Sequence, residues 1–347
     1  MVDSAAMIEK AILKVDCNDG SRQVGVKRLL VSSQSNKLFI YITYAHGKIM
    51  LKLKIIAAVV GTLVISKAYA QETYNIQAGL QNRTMVNDSN FEETSTIFSG
   101  TYYLKNIVIN NTQPFMELAF LQKASNVTVN YGNVSVETTV LYRSTYSPLH
   151  LGGTFYHDNF IFGFNNQTWD KAFSLKSNTD LNLGIKTSST GFNVGYFVTP
   201  TTAISFVNSK SNANYTRSSD SMTALNDYDM TTNGVTSHTV MSLGDTQSLV
   251  VDLDYRKIKK EQTNSETNTE YSAKFRYYPE AKSFFEGGYK SNSGDNDGDK
   301  GKTMLFGAGY SFTPRFAVML LIEQFSGDVS TEKSSSSSTM LTAGYRF

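Results

Sequence analysis

Residues 248–260 read SLVVDLDYRKIKK, and apolar and charged side chains alternate along them. Leu249, Val251, Leu253 and Tyr255 alternate with Asp252, Asp254 and Arg256. A period of two places the two sets on opposite faces of a β-strand. The same alternation recurs at 74–80, 192–198, 271–277 and 316–322. No stretch of the sequence shows a helical period over about 12 residues, so we predict an all-β fold.

Short and long connections take turns in the second half of the chain. The short ones lie at 156–159, 199–201, 244–247, 279–282 and 313–315. The long, polar ones lie at 84–93, 167–180, 210–233, 261–267, 291–301 and 326–337. Strands of about ten residues, with short turns at one end and longer loops at the other, are typical of a transmembrane β-barrel. We therefore predict an antiparallel transmembrane β-barrel with both termini on the periplasmic side.

The number of strands depends on two neighbouring segments. Residues 115–122 count as one strand in a barrel of about 14 strands. Residues 123–148 are ambiguous and could add a hairpin, which gives about 16 strands. That segment or residues 167–188 could instead fold into the barrel and occlude it. We predict 14–16 strands, with about 12 as the fallback.

A secretory signal precedes the alternating region. Residues 50–70 read MLKLKIIAAVVGTLVISKAYA. The parts of a signal peptide stand in order: Lys52 and Lys54, the apolar run 55–65, and the cleavage site Ala68-Tyr69-Ala70. We expect cleavage after Ala70, which leaves 71–347 as the barrel. Residues 1–49 receive no fold, and they represent either an over-extended N-terminus ahead of Met50 or a long positive region of the signal.

Composition excludes several classes of protein. Charged residues make up 18% of the chain, against about 25% in an average soluble domain. Cys17 is the single cysteine of the sequence, which excludes a disulfide framework and a cysteine-ligated metal. The chain from residue 71 onward is mildly acidic, which argues against nucleic-acid binding.

The sequence offers no catalytic, cofactor or metal site. The histidines after residue 71 are dispersed: His150, His157 and His238. Ser242 follows His238 closely, but no acidic partner stands near them in the sequence, and G-x-S-x-G and Gly-rich phosphate loops are absent. Asp295, Asp297 and Asp299 alternate as in a calcium loop, but the glycine and glutamate that such a loop needs are misplaced. We expect no enzyme activity, no cofactor and no metal.

The polar residues that alternate with the apolar ones along the predicted strands are candidates for the lining of a pore. If the apolar set faces lipid, nine charged residues face inward: Asp252, Asp254, Arg256, Glu270, Lys274, Arg276, Glu286, Lys290 and Glu323. The opposite assignment would cost about 2–4 kcal/mol for each charge at mid-bilayer. Opposite charges on adjacent strands can set the ion selectivity of a channel, or they can simply neutralise one another as ion pairs.

Tyrosines are expected on the outer face, near the strand ends, as interfacial girdles. They are Tyr74, Tyr102, Tyr142, Tyr196, Tyr255, Tyr277, Tyr289, Tyr310 and Tyr345. The last strand carries the same outward pattern to its end. Leu341, Ala343, Tyr345 and Phe347 alternate there with Thr342, Gly344 and Arg346.

With a signal peptide and a terminal Phe347, residues 71–347 resemble the Gram-negative outer-membrane barrel proteins. Their size, their strand and turn pattern and the segment Pro114–Leu121 (PFMELAFL) are most similar to general porins. The resemblance implies a place in the outer membrane, contact with its lipid and lipopolysaccharide, and recognition of the final strand by the barrel insertion machinery. It also implies a homotrimer.

We therefore expect a porin that lets small hydrophilic solutes or ions diffuse through a water-filled barrel. The alternative is a non-transport outer-membrane barrel with a plugged lumen, acting as an adhesin, a phage receptor or a structural protein. Occlusion of the lumen distinguishes the two hypotheses.

Overall fold

The structure is a computed structural model. It describes residues 72–88, 91–138, 142–175, 182–217, 228–261, 265–294, 299–329 and 332–347, and three strands nearer the N-terminus. These three are β1 (Ile12–Leu13), β2 (Arg28–Gln34) and β3 (Lys37–Thr43), which pair antiparallel in the order β1-β2-β3. They belong to a compact unit, 1–70, that is separate from the unit 71–347. The predicted signal peptide, with Ala68 and Ala70, lies outside the described residues, as do Asp295 and Asp297.

The second unit consists almost entirely of strands. They are β4 (Thr73–Asn87), β5 (Phe91–Val108), β6 (Asn126–Thr138), β7 (Tyr142–Tyr146), β8 (Leu149–His157), β9 (Phe160–Leu175), β10 (Asn182–Thr199), β11 (Thr202–Arg217), β12 (Tyr228–Ser242), β13 (Ser248–Glu261), β14 (Ser265–Glu280), β15 (Ser283–Gly294), β16 (Asp299–Thr313), β17 (Phe316–Val329) and β18 (Glu332–Arg346). One short helix, α1 (Leu118–Leu121), lies between β5 and β6. Among the described residues, no helix has the length and apolarity to cross a membrane.

Antiparallel pairing of each strand with its neighbours closes the sheet into a barrel, because β18 pairs with β4. β7 and β8 both lie between β6 and β9 and keep one continuous register. They form a single strand interrupted at Pro148, which has no N–H to donate to the ladder. The Gly132 N–H still donates to the Pro148 carbonyl at 3.0 Å. Counted in this way the barrel has 14 strands, which confirms the predicted fold class.

The predicted count of 14 is correct, but one of its members is wrong. Residues 115–122, predicted as a strand, form a turn and the helix α1, and the missing strand is β6 within the ambiguous stretch 123–148. Pro114 begins the turn, and the side chains of Phe115 and Leu118 are almost completely buried. A short apolar run does not by itself distinguish a strand from a buried helix.

The outer face of the barrel is apolar, whereas the inner face is polar. Exposed large apolar side chains follow one another at every second residue, as at Phe192, Val194 and Tyr196 on β10. The residues between them, such as Asn193, face inward and pair across the sheet with other inward positions. This inverts the arrangement of a soluble protein and is what a closed barrel needs in lipid.

Tyr74 does not join the predicted outer girdle of tyrosines. The register between β4 and β5 shifts between Tyr74 and Ile76, and such a bulge redirects side chains. Tyr74 therefore faces inward, is only 3% exposed, and meets the Tyr103 ring edge-on at 5.7 Å between centroids. The Tyr142 side chain lies outside the described residues.

We predict that Val194→Arg, on the outer face about five residues from the short-turn end of β10, lowers the free energy of unfolding in lipid vesicles by about 2–4 kcal/mol. Asn193→Arg, its inward-facing neighbour, should cost much less because its charge remains in the lumen. Urea unfolding of both variants in vesicles measures the difference. Equal losses would contradict the assignment of the two faces.

Candidate functional site

The connection between β5 and β6 enters the lumen from the end that holds the short turns. The start of β4, the end of β18 and the turns that precede β9, β11, β13, β15 and β17 lie at this end. Residues 109–125, here named the plug segment, contact inward-facing residues of β10, β12, β14 and β18. The Phe115 N–H donates to the Ala281 carbonyl, in the turn between β14 and β15, at 3.1 Å. The alternative predicted for 123–148 or 167–188 is an inward fold; the described residues of those stretches lie mostly in wall strands, and the inward fold occurs in the plug segment.

The start of the plug segment follows from its sequence. The Asn110 side-chain oxygen accepts hydrogen bonds from the Thr112 N–H at 3.0 Å and the Thr112 hydroxyl at 2.8 Å. An asparagine that bonds two residues ahead makes a tight turn. Pro114, whose ring fixes its φ, then begins the turn before α1, and its carbonyl accepts from the Glu117 N–H at 3.0 Å.

The end of the plug segment is joined back to the sheet. The Gln122 amide donates to the Val108 carbonyl at 2.6 Å and accepts from the Val108 N–H at 2.9 Å, so it extends the ladder at the end of β5. Lys123 has a φ of 48°, a left-handed conformation that glycine usually takes at the end of a helix. Its ammonium donates to the Asp158 carbonyl at 3.0 Å and to the Asn159 side-chain oxygen at 2.8 Å. These contacts tie the plug segment to the turn between β8 and β9.

Apolar side chains of the plug segment fill the short-turn end of the lumen. Phe115 and Leu118 belong to a buried cluster with Tyr74, Tyr103 and Ile107. Phe120 and Leu121 pack against a second cluster: Val240, Val250, Tyr278 and Phe284. Phe120 also lies 5.0 Å from Phe197, in a third cluster on the β9–β11 side. A small apolar core therefore spans the barrel at this end.

A single carboxylate lies at the centre of this core. Glu117 is 4% exposed. Its Oε1 accepts hydrogen bonds from Arg276 Nη1 at 2.7 Å and from the Tyr278 hydroxyl at 3.0 Å. Its Oε2 lies 3.2 Å from His238 Nε2, in an orientation that makes the contact electrostatic and not a hydrogen bond. A hydrogen bond to a charged group contributes about 1.5–3 kcal/mol, and Arg276 and His238 keep Glu286 and Asp252 as partners when Glu117 is removed.

Burial raises the pKa of the Glu117 carboxyl, but the contact with His238 and the charge of Arg276 outweigh it and hold the pKa below the ordinary value of 4.5. The plug segment is therefore stabilised by an ionised Glu117. This contribution is complete above pH 4.5 and is lost as the pH falls through the lowered pKa.

All nine charged residues predicted to line the pore lie on the inner face, and each is part of an ion pair. The pairs are Asp252–Lys274 (3.6 Å), Asp254–Arg256 (2.6 Å), Glu270–Lys290 (3.0 Å), Glu286–Arg276 (2.7 Å between Arg276 Nε and Oε2) and Glu323–Arg83 (3.0 Å). A cavity of about 380 Å³ lies beside several of them, lined by His238, Asp252, Lys274, Lys290 and Glu323 among others. Their role in conduction stays a prediction.

The C-terminal strand closes the barrel with its expected outward pattern. Leu341 and Phe347 are exposed on the outer face, and the Tyr345 and Phe347 rings meet at 4.9 Å. Arg346 faces inward and is buried, where it donates to the Pro314 carbonyl at 3.0 Å and lies 5.2 Å from the Tyr74 ring. Recognition of Leu341, Ala343, Tyr345 and Phe347 by the insertion machinery stays a prediction.

Sequence reasoning missed Glu117, Lys123 and Arg83, and it misjudged His238. Acidic neighbours are absent around His238 in the sequence, but in the barrel Glu117 and Asp252 contact its two ring nitrogens. A glutamate within the apolar run Pro114–Leu121 was the available signal for a buried ion pair. Among the residues with described side chains, no group of three histidine, cysteine or acidic residues could hold a metal ion.

We predict that Glu117→Gln loosens the plug segment and that trypsin then cleaves after Lys123 about tenfold faster or more, since a hydrogen bond to a charged group contributes about 1.5–3 kcal/mol. Glu280→Gln, an exposed change in a short turn, is the matched control and should cleave at the wild-type rate. Mass spectrometry of the fragments measures the rates. Equal rates for wild type and Glu117→Gln would show that this carboxylate does not hold the segment.

No family model matches the chain, and no curated protein matches it. Among solved structures it is similar to the outer membrane protein Omp33 of Acinetobacter baumannii, with 15% identity over 80% of this chain and 100% of that one and a TM-score of 0.49. It is also similar to the toluene transporter TbuX of Ralstonia pickettii, with 8% identity over 79% of this chain and 90% of that one and a TM-score of 0.48. A third similar structure is the translocator domain of the autotransporter NalP of Neisseria meningitidis, with 11% identity over 86% of this chain and 95% of that one and a TM-score of 0.39. At these values the likeness carries no argument about activity.

The closed antiparallel barrel with its apolar outer wall is the architecture of Gram-negative outer-membrane β-barrel proteins, and it points to a place in the outer membrane. The short turns and the plug segment then lie at the periplasmic end, as in other barrels of this kind.

Proposed function

We propose that the barrel is a porin through which small hydrophilic solutes or ions diffuse passively. The observation that carries this proposal is the inner face, where paired charges and polar side chains border a cavity beside the plug segment. A barrel of about eight strands is filled by its own side chains, and one of about 16 encloses an aqueous channel. Fourteen strands with a polar interior fit the second case.

The plug segment is the element that would control flow through this barrel. It lies at the periplasmic end, and it is joined to the wall by the Glu117 group, by Lys123, by the backbone hydrogen bond from Phe115 to Ala281 and by packing against three apolar clusters. Among these contacts the Glu117 group is the one that loses its charge in acid, so protonation or substitution of Glu117 weakens the attachment while the strands keep their pairing. We infer that conductance depends on whether Glu117 is bound to the wall.

The plug segment also supports the second candidate, a non-transport barrel that acts as an adhesin, a phage receptor or a structural protein. In that case the segment would be a permanent closure. The two candidates differ in whether releasing the plug segment produces a current. The homotrimer, contact with lipopolysaccharide and absence of enzyme activity stay predictions.

We predict that the refolded chain gives stable conductance steps in a planar bilayer and that Glu117→Gln raises the step size or the open fraction severalfold. The Glu280→Gln control should behave as wild type. A folded, heat-modifiable barrel that stays silent in both the wild type and Glu117→Gln would overturn the porin and favour the non-transport barrel.

Acid should have the same effect as the Glu117→Gln substitution. Because protonation removes the stabilisation that ionised Glu117 supplies, we expect the open fraction of the wild type to rise as the pH falls below 4.5. Arg276, Tyr278 and His238 face the same carboxylate. Comparison of the wild type with Glu117→Gln therefore isolates the part of the pH effect that Glu117 contributes. A pH profile of conductance for both proteins measures it. A rise of equal size in Glu117→Gln would assign the effect to another group.

A further inference from the structure

The two sides of the lumen differ in chemistry. The inner faces of β12–β18 and β4 carry the ion pairs described above. The inner faces of β6–β11, here named the neutral wall, carry mostly hydroxyl, amide and small side chains, together with buried apolar ones such as Val134, Val136 and Phe197. Among the described side chains of this wall, Lys171 is the one lysine, arginine or carboxylate that faces inward.

An aromatic pair lies on the neutral wall, toward the long-loop end. Trp169 is the only tryptophan of the sequence, and it faces inward on β9, in alternation with the outward Phe160, Phe162 and Phe164. Its ring centroid lies 5.1 Å from that of Tyr146, at an interplanar angle of 36°. Tryptophans of membrane barrels usually lie in the outer aromatic girdle, so this inward position requires another explanation.

The strand interruption lies beside this pair. The continuous register places Pro148 between Gly132 and Trp169. A Cβ at Gly132 would lie 3.0 Å from Ile97 and 3.4 Å from the Pro148 ring, so these two side chains occupy the inner face at Gly132. The Tyr146 ring meets Trp169 and lies 5.2 Å from the Lys171 ammonium.

Hydrogen-bonding groups without a partner surround the aromatic pair. Asn130 Oδ1, Ser144 Oγ and Thr187 Oγ1 are three of the five buried side-chain atoms without a hydrogen-bond partner among the described residues. Thr187 pairs directly with Trp169, and Ser144 stands two residues before Tyr146 on the same face. The Asn130 Nδ2 amide donates to His150 Nδ1 at 3.2 Å, so the nitrogen end of the amide is bound while its Oδ1 has no partner in the described part of the chain.

We propose that Tyr146 and Trp169 form a binding platform for neutral carbohydrates inside the extracellular mouth of the barrel. A pyranose ring has an apolar C–H face, which suits an aromatic ring, and a rim of hydroxyls, which suits amides and hydroxyls. Lys171 on this wall and Glu93 on the adjacent β5 carry opposite charges that interact, so the surroundings of the pair have no net charge from them and give no advantage to ionic solutes. Binding has to be weak for a solute that must leave again, so we expect half-saturation on the order of 10 mM.

The platform goes beyond the proposed porin function, and a binding experiment tests it without any current. Because Trp169 is the only tryptophan, tryptophan fluorescence of the full chain in detergent, excited where tyrosine does not absorb, reports on this site alone. We expect a saturable change on titration with maltose and none with sodium glutamate or glycerol at the same concentrations. Tyr146→Ala should abolish the maltose response, and Tyr146→Phe should keep it, since the ring is retained. Tyr196→Ala, on the outer face, is the matched control.

The outcomes separate this proposal from the porin. A linear, unsaturable response to maltose in a folded, conducting barrel would overturn the platform and leave the porin standing. A saturable response to glutamate equal to that for maltose would overturn the neutral class of ligand. Saturable maltose binding that Tyr146→Ala weakens at least tenfold would support the platform even if the barrel proves silent in the bilayer.

Discussion

Closure of the sheet between β18 and β4 is the constraint on which the other features depend. A closed sheet leaves no edge, so every strand can satisfy its backbone groups in lipid. Closure also sorts the side chains, because successive residues must alternate between lipid and lumen. The nine charged residues face inward for this reason, and they meet as ion pairs because the register brings opposite charges together, as in Asp252–Lys274.

The plug segment solves a problem that the same closure creates. A barrel of this width leaves a space that its wall residues do not fill at the periplasmic end, and residues 109–125 fill it with an apolar core around Glu117. An apolar closure without a charge would be held by burial alone. The ionised Glu117 between Arg276 and His238 makes the closure depend on one group whose charge can change. Control of the lumen by the plug segment therefore depends on Glu117.

The alternation along the strands predicted the fold class, the facing of the charged residues and the outward pattern of the final strand. Alternation could not predict the plug segment, because a short apolar run such as Pro114–Leu121 fits a strand as well as a buried helix. Nor could it predict the partners of His238, since Glu117 and Asp252 become neighbours only in the closed barrel. Tyr74 was misplaced because a bulge shifts the register, and a bulge leaves no signature in the pattern. Pro148 disrupts one strand without ending it, because the strands on both sides hold its register.

The central claim is that movement of the plug segment controls the lumen, and a reversible cross-link tests it most directly. Phe115 and Ala281 are joined by a backbone hydrogen bond and lie in one cluster, so Phe115→Cys with Ala281→Cys can form a disulfide in a Cys17→Ala, Glu117→Gln chain. Single-channel conductance is recorded before and after reduction. The account predicts a low current while the disulfide is intact, and a severalfold rise on reduction that reoxidation reverses. The same conductance in the oxidised and reduced states would contradict it.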